Sequence, residues 1–127
     1  MIKSVLLVFL GGGLGAALRF MIGKASLYYY PGNLPLGTFI SNLISCLLLA
    51  ILLYAFPIRN ESLEKLIGPL LIVGFCGGLS TFSTFSYETF ELLRNGMKFH
   101  AILNVLISVI MGLGSIYIIY TKFNKLD

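Results

Sequence analysis

The segment Leu66–Leu93, "LIGPLLIVGFCGGLSTFSTFSYETFELL", decides how this 127-residue chain folds. Its first half is as apolar as a lipid-facing helix. Its second half then carries a glycine pair, five hydroxyl residues between Ser80 and Ser86, two phenylalanines three apart, a tyrosine and the carboxylate of Glu88. A bilayer-spanning helix needs roughly 20 mostly apolar residues, and this stretch has 28. Polar groups inside a span are costly and default to function. The extra length and the polar insert together predict a span broken near its middle.

Working outward, three more apolar segments appear, at about 4–22, 34–56 and 99–120, with the quoted one at 66–93. Soluble domains are usually about a quarter charged. Here charged residues make up 11% and hydrophobic residues 57%, and the mean hydropathy is +0.94. The connecting pieces Gly23–Asn33, Pro57–Lys65 and Arg94–Lys98 are short, which makes sequential helices neighbours. The expectation is an all-α integral membrane protein, one four-helix domain over residues 1–127. A lysine followed by an apolar run ending at Ala16-Ala17 also fits a secretory signal peptide, but three further spans and a glycine-rich helix favour packing. Cys46 and Cys76 lie inside apolar spans without metal or redox spacing, and buried thiols of this kind are usually inert.

A net charge of +4 points to nucleic acid only in a soluble protein; in a membrane chain, lysine and arginine report orientation. No nucleic-acid partner is expected. With four spans the termini share one side, together with Lys3, Arg59, Lys65, Lys122 and Lys125. The other side holds Lys24, Arg94 and Lys98, with Arg19 near its helix end. So weak a bias permits insertion both ways round, and two opposite copies would supply the inverted symmetry that larger transporters carry within one chain. An ordinary one-way protein with a slight bias fits equally well.

Each polar feature has a bland and a sharp reading. Gly77-Gly78 is either a small-residue packing face or a helix break whose carbonyls bind a cation. Phe82 and Phe85 share a helical face, as core aromatics do. Yet Thr81, Ser83, Thr84 and Ser86 interleave with them, so O–H donors and electropositive ring edges suit a small dehydrated anion. Asn42, with Thr38 one turn before and Ser45 one turn after, is helix–helix glue or an anion donor. Arg19 snorkels or draws anions to a pore mouth. Glu88 is either protonated or an acceptor that holds donors in place. Asn104 and Ser108 form a milder stripe on the fourth span. There is no nucleophile–base pair, ligand cluster or phosphate loop, so no enzyme is expected.

"GFCGGLSTFSTFSYE" (Gly74–Glu88), "GTFISNLISC" (Gly37–Cys46) and "GGGLGAALRF" (Gly11–Phe20), in that order, resemble the Fluc (CrcB) fluoride channel family. The resemblance implies a passive fluoride exporter of the bacterial inner membrane, built as an antiparallel dual-topology homodimer with two pores. It implies fluoride-path roles for Phe82, Phe85, Asn42, Ser83, Thr84 and Ser86, and a structural sodium ion held by the Gly77 and Ser80 carbonyls. Arg19 and Glu88 match the family's first-helix arginine and motif-closing carboxylate. Ser80 departs from the more usual threonine, and Asn104 stands where some members have a fourth-helix tyrosine. The alternative, a small multidrug-type proton-coupled transporter, wants a membrane carboxylate for proton exchange, and only Glu88 would serve.

Overall fold

A computed structural model describes residues 1–55 and 60–124. Phe56, the expected end of the second span, and Arg59 and Lys125 of the charge count lie outside the described residues. Among the described residues the regular structure is all helical, without a strand, and supplies four helices long and apolar enough to cross a membrane. The first span is Ile2–Tyr29, the second Leu36–Ala55, the third Glu61–Arg94 and the fourth Lys98–Phe123.

The first helix continues seven residues past its expected end, through Gly23 to Tyr29. Gly23, expected to open a connecting piece, lies inside this helix and serves a close approach: a Cβ built on Gly37 of the second span would lie 2.8 Å from the Gly23 Cα. The third span opens on an N-cap at Asn60, whose side-chain oxygen accepts from the Ser62 and Leu63 amides at 2.9 and 3.3 Å. From Gly68 to Cys76 it winds as a π-helix. Pro69 has no N–H to give and its ring crowds the preceding turn, so a wider winding follows at once.

Among the described residues most of the buried ones are small, Ala50, Cys76, Ala101, Ser41 and Ser45 among them, with Leu79 and Leu92 the large apolar side chains enclosed. Small side chains let backbones meet, the usual basis of packing where lipid removes the hydrophobic driving force. Large apolar residues such as Phe9, Phe20 and Ile110 point outward. The first and third spans make the most intimate pair. A Cβ on Gly11 would collide with the Leu70 carbonyl, one on Gly15 with the Phe75 carbonyl, and one on Gly78 with the Gly12 carbonyl. The second span packs chiefly on the fourth.

Candidate functional site

Within the third span, Gly77–Leu79 is helical and so is Phe82–Arg94. Between them Ser80 (φ −79°, ψ 158°) and Thr81 (φ −152°, ψ 123°) are extended. The sequence pointed to the glycine pair as the place where the helix opens, but both glycines keep helical geometry. Gly78 instead lets the first span's backbone approach, and the chain leaves the helix two residues later.

Backbone polar groups at membrane depth need partners, and neighbouring spans provide them. Asn42 bridges both polar groups of Thr81: its Oδ1 accepts from the Thr81 N–H at 2.7 Å and its Nδ2 donates to the Thr81 carbonyl at 3.2 Å. A continuous helix would have sent that N–H to the Gly77 carbonyl. The Arg19 Nε donates to the Gly78 carbonyl at 3.1 Å, and the Ser45 hydroxyl to the Cys76 carbonyl at 2.7 Å. The Ser80 hydroxyl and amide both turn back to that same Cys76 oxygen, at 2.9 and 3.0 Å. Three side chains from two other helices therefore fasten this short stretch of backbone. Thr81 then starts the next helix, its hydroxyl oxygen accepting from the Thr84 amide at 3.2 Å, an ordinary N-cap.

A cavity of about 410 Å³ adjoins this segment, and Arg19, Lys24, Thr38, Thr81, Thr84 and Glu88 are among its lining residues. The arginine is half-buried and bonded to main chain, so it does more than snorkel. Glu88 has one carboxylate oxygen, Oε2, that is buried and without a hydrogen-bond partner among the described residues. Thr38 is buried beside the same space.

The remaining expected residues fall elsewhere. Phe82, Ser83 and Ser86 are exposed on the single chain and Phe85 is half-buried. The Phe82 and Phe85 rings lie 6.3 Å apart, tilted by 39°. Gly77 is exposed, with nothing within 4 Å of a Cβ built on it. Asn104 does not reach the cavity; it donates to the Thr89 hydroxyl oxygen at 2.9 Å. The structure thus gathers Asn42, Arg19, Thr38, Thr84 and Glu88 around the interruption, and leaves Phe82, Ser83 and Ser86 on the outside. Sequence reading missed Thr89 and the cavity-lining place of Lys24. Thr89 follows Phe85 by one helical turn, which was the only signal available.

The family described as CrcB-like protein, Camphor Resistance (CrcB), matches residues 6–120. The chain belongs to the CrcB family. Among its CrcB relatives, a protein of Methanocaldococcus jannaschii is 43% identical over 92% of this chain and 91% of its own length. One from Escherichia coli O1:K1 / APEC is 41% identical over 89% and 88%, and one from Azobacteroides pseudotrichonymphae 36% over 94% and 95%. All three are named fluoride-specific ion channel FluC. Four membrane-capable helices make this CrcB chain a multi-pass membrane protein, and the multidrug-type alternative finds no support in these relatives.

Proposed function

We propose that the chain is a fluoride-selective passive channel that exports fluoride across a bacterial inner membrane. The observation that carries this reading is the interrupted third span, lined with hydroxyls and phenylalanines, in a CrcB chain whose relatives are named fluoride channels. Fluoride is small and strongly hydrated, so a narrow passage has to replace its water with O–H and N–H donors and with electropositive ring edges. Ser83, Thr84, Ser86 and Asn42 are the donors, and Phe82 and Phe85 supply the edges. Chloride is too large for sites so closely spaced. Arg19 and Lys24 line the cavity and favour anion entry.

The working unit in this reading is an antiparallel, dual-topology homodimer with two pores. The weak charge bias supports it, as does the exposure of Gly77, Phe82, Ser83 and Ser86 on the isolated chain. The Gly77 and Ser80 carbonyls suit a structural sodium ion. Because the Thr81 N–H is taken by Asn42, the Gly77 oxygen is released from the helical ladder, and freed main-chain oxygens are the donors sodium favours in broken membrane helices. When bound, the ion supplies a fixed positive charge at the interruption.

Proteoliposomes loaded with fluoride should empty down the gradient on reconstitution of the purified protein, while chloride flux stays near background. Equal passage of both anions would sink the proposal. An aromatic contact is worth roughly 0.5–1.5 kcal/mol, so Phe82→Ile or Phe85→Ile should slow fluoride release by about twofold to tenfold with assembly unchanged.

A further inference from the structure

We propose that Asn104 and Thr89 form a rotational lock that aims the Phe82 and Phe85 rings, making both of them positioning residues for conduction. The inference rests on the fluoride-channel reading above. Phe82, Phe85 and Thr89 are spaced by three and then four residues on the helix Phe82–Arg94, so they share one stripe. The Thr89 hydroxyl donates to the Phe85 carbonyl at 2.8 Å. That bond sets its rotamer and leaves the oxygen's lone pair for an outside donor. Asn104 of the fourth span is that donor, at 2.9 Å, and its side chain is 7% exposed.

Among the described residues this is the one side-chain hydrogen bond from the fourth span to another helix, since Ser115 and Thr121 bond within their own. The same helix is pinned at its start by Asn42 through Thr81. One fixture at its start would leave the helix free to turn about its axis; a second, eight residues further along, fixes the azimuth. Side chains stand about 5–6 Å from a helix axis, so a turn of about 20° carries a ring roughly 2 Å. A displacement of that size takes a ring edge out of contact with a small ion. A threonine hydroxyl both gives and receives here. Serine retains that capacity, whereas valine has the shape without it.

The test compares wild type, Thr89→Val, Thr89→Ser and Asn104→Leu in the proteoliposome assay. A para-fluorophenylalanine label at position 85 is followed in parallel by ¹⁹F NMR. Thr89→Val and Asn104→Leu should each slow fluoride efflux by about tenfold, the upper range for one interhelical hydrogen bond in a membrane bundle. Both should also move the ring resonance, while Thr89→Ser keeps the wild-type flux and resonance. Wild-type flux in Thr89→Val would overturn the lock. So would a serine variant no better than valine, or failure of both the valine and leucine variants to assemble, which would make the bond a folding determinant. If the wild type passes no fluoride, the channel reading fails, and the labelled ring still reports on the lock by itself.

Discussion

Gly15→Val should leave no stably folded protein, and Gly11→Val should do the same, while Gly13→Val on the same helix should fold normally. The three positions lie within five residues of one another and differ only in what they face. At Gly15 a Cβ would run into the Phe75 carbonyl and come within 2.7 Å of the Leu79 amide nitrogen. At Gly11 it would run into the Leu70 carbonyl and come within 2.9 Å of the Phe75 nitrogen. These are main-chain atoms, which cannot rotate aside as a flexible side chain can, so the two helices would have to separate. Overpacking that side chains can partly absorb already costs about 1–3 kcal/mol, and here nothing absorbs it. Separation would also pull the Arg19 side chain away from the Gly78 carbonyl and undo one of the fastenings at the interruption. Gly13 meets nothing within 4 Å and faces outward, and valine there even removes an unfavourable helical glycine. Membrane yield, a monodisperse elution peak and the thermal midpoint in detergent give the comparison. Equal midpoints for the Gly15 and Gly13 variants would show that the first and third spans do not meet as described.

That glycine pattern also marks the limit of what the sequence could convey. The four spans were legible because lipid demands long apolar runs, and length and composition alone reveal those. The residues of the third span's polar stretch were legible as a group, since five hydroxyls in seven positions have no place in an ordinary lipid-facing helix. What each glycine does was not legible. Glycine permits both a backbone break and a close helix contact, and only the partner's position decides between them. Gly78 faces the Gly12 carbonyl, so contact is the answer there, and Gly23 against Gly37 repeats it. Asn42 was open for a similar reason. An amide in a span bonds something, but the 39 residues separating it from Thr81 carry no register. Asn104 is a comparable case, its Thr89 partner lying across a turn that periodicity alone does not orient.

Asn42→Leu should suppress fluoride conduction, by up to about a hundredfold, in a protein that still assembles. Leucine matches asparagine in shape but neither donates nor accepts. The Thr81 N–H would then lose its partner, and a buried unsatisfied group costs about 1–3 kcal/mol, while the Thr81 carbonyl, at the N-cap, keeps the first bond of the helix that follows. The chain has a cheap way out. The Thr81 N–H can return to the Gly77 carbonyl, its helical partner, and the extended pair Ser80–Thr81 winds into a continuous helix. Rewinding satisfies the backbone, which is why assembly survives, but it swings the following helix, and with it Phe82 and Phe85, away from the passage. The cost of about 1–3 kcal/mol for that group corresponds to a factor of roughly five to more than a hundred, so a loss of up to about a hundredfold lies inside it. Asn42→Asp is the informative companion. An ionised carboxylate still accepts from the Thr81 N–H but cannot donate to its carbonyl, so the amide end stays pinned while flux falls. Isotope-edited infrared on ¹³C-labelled Gly77 reads the outcome. Its carbonyl band should shift toward the helical, hydrogen-bonded position in Asn42→Leu and stay in place in Asn42→Asp. Should Asn42→Leu conduct as wild type does, or lose conduction with an unmoved Gly77 band, the amide would not be what holds the third span open.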